Sequence, residues 1–161
     1  MSKDATGECM TNKKLKTLLS ELNACQETVE WVGDRNLATA WADCEHPVLL
    51  LWLAWMMTGE KGWPVRKEVS LAAIECGRLS LAHAGEYREQ LSAVFDAAER
   101  CVNDPTPENI MSARSAEITA WGVARNAAWS ARNAAWGDAR STANKTMCKI
   151  IRGRLSLPEG L

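Results

Sequence analysis

The most apolar stretch of this chain is VLLLWLAWMM, ten residues from Val48 to Met57. It follows Pro47 and precedes Gly59, which are residues typical of the first turn and of the end of a helix. A membrane-spanning helix requires about 20 apolar residues. The stretch therefore predicts a helix buried in the core of a soluble protein. Because residues 1–12 are polar and lack an apolar run, we expect no signal peptide.

Apolar residues recur at intervals of three and four on both sides of this stretch, as in amphipathic helices. On the amino-terminal side they predict one helix from Asn12 to Trp31, with Cys25 on its apolar face, and a short helix over residues 37–44. On the carboxy-terminal side they predict a helix from Pro64 to Gly85 and another from Tyr87 to Val102.

The start signal Thr-Pro-Glu-Asn at residues 106–109 combines a capping hydroxyl with a proline at the first helical position. No further proline occurs before Pro158. We expect one long helix from here, rich in Ala, Arg and Trp, with Gly137 as the point at which it would bend or break.

Strand signals are nearly absent, because the chain has no alternating β-branched run and no Asn-Gly turn. The sequence therefore predicts an all-α fold of six or seven helices in one bundle-like domain. We expect this domain to span residues 12–157 and to follow a flexible tail at residues 1–11.

The long C-terminal helix contains an internal repeat, ARNAAW, at residues 124–129 and again at 131–136. Seven residues advance a helix by almost two turns, with a drift of about 20°, so the repeated side chains lie on the same face. We call this face, extended at both ends, the Trp/Arg face. Its residues are Arg114, Trp121, Arg125, Asn126, Trp129, Arg132, Asn133, Trp136 and Arg140.

Two interpretations of the Trp/Arg face remain open. Trp and Arg are enriched at the hot spots of protein interfaces, and they also suit a ligand with a planar base and a phosphate. Alternatively, the tryptophans are part of the core, and each Arg extends past them to pair with a Glu of a neighbouring helix.

The charge of the chain is nearly balanced but unevenly distributed. Lys and Arg number 19 and Asp and Glu number 20, which argues against a nucleic-acid coat or a polybasic membrane binder. Residues 111–155 carry eight basic and two acidic residues, so the remainder has a net charge of −7. The basic end is expected to attract anions or an acidic protein surface.

The six cysteines, at positions 9, 25, 44, 76, 101 and 148, are far apart and form no Cys-Xaa-Xaa-Cys pair. We expect reduced thiols, with a disulfide framework as the alternative that the even count allows. His83 is expected to be a hydrogen-bonded core residue.

The one compact polar cluster is Asp43-Cys44-Glu45-His46. A thiol, an imidazole and carboxylates can serve a nucleophile or a metal, but adjacent helical residues point in different directions. Capping of the next helix is the expected role. The chain also has no known catalytic, phosphate-binding or metal-binding motif, so we expect neither an enzyme nor a bound cofactor or metal.

WVGDR at residues 31–35 and LATAWADC at residues 37–44, with the later Ala- and Arg-rich helix, resemble the immunity-protein-five-like family. Its members are small bacterial and phage proteins described as immunity proteins of toxin systems. The order of segments also matches, including the helix with Glu75, Cys76 and Arg78.

The likeness spans residues 24–140, and the family's most recognisable motif falls on Asp43, Cys44 and His46. Where family members carry His in the Ala-rich helix, this chain has Trp129 and Trp136. The resemblance implies a cytoplasmic antagonist, made by a bacterial cell or a phage, that disarms an effector by binding it.

Three functions are therefore weighed. The first is a protein that antagonises a toxin or defence effector through its Trp/Arg face or its acidic half. The second is a phage-type sponge that sequesters a nucleotide messenger between subunits, with Arg on the phosphates and Trp on the base. The third is a structural or assembly protein. A homo-oligomer is expected, and neither a membrane nor a nucleic acid is an expected partner.

Overall fold

The computed structural model describes residues 12–115 and 138–157, and all regular structure within them is helical. The predicted all-α class is confirmed. The predicted tail at residues 1–11 and the middle of the predicted long C-terminal helix, residues 116–137, lie outside the described residues. The α-helices are α1 (Asn12–Glu21), α2 (Gln26–Val32), α3 (Leu37–Asp43), α4 (Pro47–Met56), α5 (Arg66–Arg78), α6 (Arg88–Asn103), α7 (described over residues 107–115) and α8 (Asp138–Arg154).

The single helix predicted from Asn12 to Trp31 is wrong, because the chain turns between α1 and α2 at Asn23. Asn23 has φ of 56°, a left-handed conformation that Asn tolerates better than most residues. The N–H of Ala24 closes the end of α1 by donating to the carbonyl of Leu19 at 2.8 Å. Cys25, predicted on an apolar face, is consequently an exposed residue that precedes α2.

The helix predicted from Pro64 to Gly85 is also shorter than expected. It begins at Arg66 and ends at Arg78, and 3-10 turns at Leu79–His83 and Gly85–Tyr87 lead into α6. The predicted start at residues 106–109 is confirmed, because the N–H of Asn109 donates to the Thr106 hydroxyl at 3.2 Å. The side chain of His83 lies outside the described residues, so its expected role stays a prediction.

One apolar core joins α1 to α5 with α8. Helices α4, α5 and α8 pack against one another, and α6 packs on α5. Three cysteine thiols, those of Cys44, Cys76 and Cys148, are buried in this core as small apolar groups. The largest side chains that are fully buried in this core are those of Leu15, Leu19, Leu37, Cys44, Cys148, Ile151 and Leu155.

Helix α5 approaches α6 closely at Gly77, where an added Cβ would lie 2.6 Å from the ring of Phe95. The next residue, Arg78, forms ion pairs with two carboxylates of α6, Asp96 at 2.9 Å and Glu99 at 2.7 Å. A small residue and an ion-pair network therefore hold α6 on α5.

The apolar stretch at residues 48–57 forms α4, but only one of its faces is buried. Leu50, Leu53 and Ala54 are in the core, whereas Val48 is 78% exposed and Trp55 is 44% exposed. The prediction of a core helix is therefore confirmed for one face of α4 and wrong for the other. Within the described residues, no helix is both long and apolar enough to cross a membrane.

Candidate functional site: an aromatic cleft between α2 and α4

The Trp/Arg face is not assembled by the part of the chain that the structure describes. Seven of its nine residues (Trp121, Arg125, Asn126, Trp129, Arg132, Asn133, Trp136) fall within residues 116–137, outside the described ranges. Arg114 lies exposed on α7, and Arg140 belongs to α8 with its side chain outside the described set. The binding role of this face therefore stays a prediction.

The side chains of the polar cluster at residues 43–46 diverge from one another. The Asp43 carboxylate lies 3.9 Å from Nε of Arg35, and the Glu45 carboxylate lies 3.6 Å from Nζ of Lys145. Both ion pairs are solvent-exposed. Cys44 instead points into the core and is 1% exposed. The cluster therefore does not converge on one ligand.

Cys44 and His46 are in contact through the backbone of His46. The His46 N–H donates to Sγ of Cys44 at 3.4 Å, and the thiol donates to the His46 carbonyl at 3.5 Å. Burial raises the pKa of the Cys44 thiol, which disfavours the thiolate that nucleophilic chemistry needs. His46 precedes α4 as its N-cap residue, yet its side chain makes no capping hydrogen bond. The predicted capping role is therefore wrong for His46.

The His46 imidazole faces an open cleft between α2 and the first turns of α4. Its ring meets the indole of Trp31 edge-on, with centroids 6.3 Å apart and planes at 89°. The cleft has a volume of about 480 Å³, which is within the range of about 300–1,000 Å³ common for ligand sites. Its lining residues are Asn23, Ala24, Cys25, Glu27, Thr28, Trp31, His46, Val48, Leu49 and Trp52.

Helix geometry explains why these residues share the cleft. Side chains three and four positions apart lie on one face of a helix. In α2 this spacing aligns Thr28 and Glu27 with Trp31, and in α4 it aligns Val48 and Leu49 with Trp52. The turn at Asn23 closes one end of the cleft. The walls are therefore two short helical faces that carry two tryptophans and several apolar groups.

The surroundings of the cleft are acidic. Residues 21–34 contain four carboxylates and residues 36–59 contain two, and neither segment contains Lys or Arg. Three of the six form ion pairs: Asp34 with Lys16 at 3.4 Å, and Asp43 and Glu45 with the partners described above. Glu27 lines the cleft and forms no ion pair within the described part of the chain.

A cation already lies against one wall residue. The guanidinium carbon of Arg35 is 5.1 Å from the centroid of the Trp31 ring, and Arg35 also donates to the Trp31 carbonyl. An indole attracts a cation placed over its face. Trp31 therefore engages a guanidinium in this protein while it also lines the cleft.

Cys25 stands at the edge of the cleft as an exposed thiol. Its sulfur lies 3.1 Å from the hydroxyl oxygen of Thr28. Hydrogen bonding to the Thr28 hydroxyl, aided by the Thr28 backbone N–H, lowers the pKa of this thiol. By contrast, burial raises the pKa of Cys76 and of Cys148 to about 11. All five described cysteines are free thiols.

Neither a protein-family model, nor a curated protein, nor a solved structure matches this chain. Within residues 12–115 and 138–157, no group of three or more His, Cys, Asp or Glu side chains is arranged to hold a metal ion.

Of the residues that line the cleft, sequence reasoning proposed only His46 as a candidate site residue. Two signals in the sequence could have pointed to the cleft. Asn23 is a residue that commonly ends helices, which separates α1 from α2. The absence of Lys and Arg from residues 36–59, next to the most apolar stretch, indicates an acidic surface beside exposed apolar groups.

Proposed function

We propose that this protein is a non-catalytic helical antagonist that neutralises a toxin or bacterial defence effector by direct binding. The observation that carries the proposal is the cleft, which exposes two tryptophans and an apolar flank of α4 between short helices. Aromatic residues in a partly open apolar depression are typical anchors of protein interfaces.

The chemistry of the cluster at residues 43–46 supports binding rather than catalysis. A thiol nucleophile needs an accessible sulfur and an imidazole aimed at it. Here the Cys44 sulfur is buried, and the His46 ring is directed at Trp31. The resemblance of residues 31–44 to immunity proteins points to the same function.

The charge of the cleft favours a protein target over a nucleotide messenger. Glu27 would repel a phosphate group, and no Lys or Arg lines the cleft. A nucleotide sponge would therefore depend on the Trp/Arg face, which lies largely outside the described residues. The free thiols fit the reducing cytoplasm of a bacterium, where we propose that the target is met.

The proposal is tested first in cells. The protein is co-expressed in a bacterial host with a panel of individually induced toxins and defence effectors, and survival is scored against an empty vector. We expect rescue from one target or a small related group. No rescue anywhere in the panel counts against an antagonist.

Purified components then separate binding from catalysis. The rescued effector, at fixed concentration, is titrated with the protein, and its residual activity is measured. An antagonist that acts by binding removes activity linearly and completely at a fixed molar ratio. If much less than one molar equivalent of the protein inactivates all of the effector, the protein acts catalytically, which would overturn the proposal.

A matched pair of tryptophan variants assigns the effect to the cleft. Trp52 lines the cleft, whereas Trp55, on the same helix and 44% exposed, does not. We expect Trp52→Ala to weaken binding by roughly 30-fold, as for an interface hot spot, while Trp55→Ala changes it little. Circular dichroism and thermal unfolding of both variants establish that they are folded.

A further inference from the structure

We infer that the cleft between α2 and α4 is a docking site for a basic segment of a partner protein, whose Lys or Arg side chain enters between Trp31 and Trp52 and pairs with Glu27. This inference rests on the proposed function and names the chemistry of the surface that the antagonist recognises.

The charge of the cleft is complementary to that of a basic side chain. Glu27 is the one lining residue with a charged carboxylate, and no lining residue is Lys or Arg. The neighbouring Glu30 adds to the negative charge; its carboxylate accepts a hydrogen bond from Nε2 of Gln26 at 2.7 Å, so its partner is neutral. Of the six carboxylates in residues 21–59, three are paired with Lys16, Arg35 and Lys145, and the other three, which include Glu27 and Glu30, form no ion pair within the described residues. A cationic side chain is the complement of such a surface.

The aromatic wall of the cleft also suits a basic side chain. Two indoles line the cleft, and Trp31 already lies under a guanidinium within the protein at 5.1 Å. Cations of Arg and Lys are attracted to the face of an indole, and their aliphatic stems cover apolar surface. A long basic side chain therefore satisfies both the walls and the carboxylate.

The open shape of the cleft suits a segment of a protein. The cleft is open, and its α4 wall continues into Val48, which is 78% exposed. When a basic side chain occupies the cleft, this apolar flank can still contact the neighbouring residues of the same partner segment. We therefore assign a segment of a protein, with apolar residues beside the basic one, rather than a free amine.

The test uses the full chain and a short synthetic peptide with one central residue flanked by leucines. The central residue is Arg, Lys, norleucine or Glu in four otherwise identical peptides. Calorimetry measures each Kd at low and at high salt. We expect the Arg and Lys peptides to bind tightest, the Glu peptide to bind weakest, and the difference to shrink in high salt.

Two charge-neutralising variants locate the pairing carboxylate. Glu27→Gln should weaken binding of the Arg peptide about ten-fold, as expected for the loss of a charge-assisted hydrogen bond, and leave the norleucine peptide unaffected. Glu30→Gln is the matched control on the same helix. Because Glu30 does not line the cleft, its neutralisation should weaken binding of the Arg peptide clearly less than Glu27→Gln does. Bound peptide should also slow alkylation of Cys25, which lines the cleft.

Several outcomes would overturn the inference. They are binding of the Glu peptide as tight as that of the Arg peptide, an unchanged Arg-peptide Kd in Glu27→Gln, or no binding of any of the four peptides. If arginine amide binds as tightly as the Arg peptide, the cleft is a site for a small molecule and not a docking site for a protein segment.

The same variants separate this inference from the proposed function. If Trp52→Ala abolishes effector neutralisation but Glu27→Gln retains it fully, the antagonist stands and the basic partner is wrong. If basic peptides bind as described but no effector is neutralised, the docking site stands and the antagonist is wrong.

Discussion

Nε of Arg152, near the end of α8, donates a 2.9 Å hydrogen bond to the backbone carbonyl of Trp41 in α3. A second nitrogen of the same guanidinium donates to the carbonyl of Cys44. The last carbonyls of a helix have no partner within the helix, and a cation is favourable at this end. Arg152 therefore secures the end of α3, which leads directly to His46 and the cleft.

We predict that Arg152→Met lowers the free energy of unfolding by about 1–3 kcal/mol, because it leaves partly buried carbonyls without their donor. Urea denaturation followed by circular dichroism measures the change. Arg154→Met is the control: Arg154 forms an exposed ion pair with Glu75, so its loss should cost below about 1 kcal/mol. Equal effects of the two variants would contradict the capping role of Arg152.

We predict opposite effects of alanine at two glycines within helices. At Gly77 the new Cβ would lie 2.6 Å from Phe95, so that α6 or the ring must shift, at a cost of about 1–3 kcal/mol. At Gly153 nothing lies within 4 Å, and alanine should gain up to about 1 kcal/mol from helix propensity. Thermal unfolding compares Gly77→Ala with Gly153→Ala. A Gly77→Ala variant as stable as Gly153→Ala would show that the contact with Phe95 relaxes freely.

We predict that Cys25 is alkylated faster than Cys44, Cys76 and Cys148 in the folded protein. Cys25 is exposed, and its pKa is lowered. At any pH below the pKa of an ordinary thiol, a larger fraction of Cys25 is therefore thiolate. Iodoacetamide labelling followed by peptide mass spectrometry gives each rate.

Thr28 variants test the cause of this reactivity. Thr28→Val removes the hydroxyl that lies 3.1 Å from the sulfur, so the pH–rate profile of Cys25 should move to higher pH. Thr28→Ser keeps the hydroxyl and should leave the profile near its original position. Identical profiles for the two variants would exclude the hydroxyl as the cause.

We predict that the protein loses stability as the pH rises from about 9 to about 11. Burial raises the pKa of Cys76 and Cys148 from near 9 to about 11. Over this interval the unfolded chain binds fewer protons than the folded one, so the free energy of unfolding falls with pH. The stabilising effect of the neutral thiols is fully present below pH 9.

The urea midpoint measured across this interval checks the alkaline effect. Cys148→Ala should lower the midpoint at neutral pH by creating a small cavity, yet it should flatten the decrease between pH 9 and pH 11. Cys25→Ala, which removes an exposed thiol whose pKa is lowered rather than raised, is the control and should not flatten the decrease. A slope that is the same in all three proteins would contradict a contribution from Cys148.

The starts of α4 and α7 were predictable because they depend on neighbouring residues. Pro47 opens α4, and Thr106 caps α7 with its hydroxyl. The turn at Asn23 that follows α1 is equally local, but the apolar spacing that continues through Val29 concealed it. A periodic pattern does not distinguish one helix from two helices with faces directed to the same core.

The candidate site was much less predictable. Divergence of the side chains at residues 43–46 follows from their separate partners, Arg35, the core and Lys145, and Lys145 is a hundred residues away from Glu45 in the chain. The cleft likewise joins residues from two segments, 23–31 and 46–52, that are separated by α3 in the chain. Neither segment alone shows the cleft.

The sequence by itself determined the helical class and the apolar face of most helices, since both depend on residue type and on spacing of three and four. Only the tertiary structure decided which flank of α4 remains exposed. Leu50 and Val48 are equally apolar, but Leu50 is buried and lines a small cavity with residues of α1, α2 and α3, whereas Val48 is 78% exposed. Burial depends on which distant helices pack against a face, and a single segment carries no information about them.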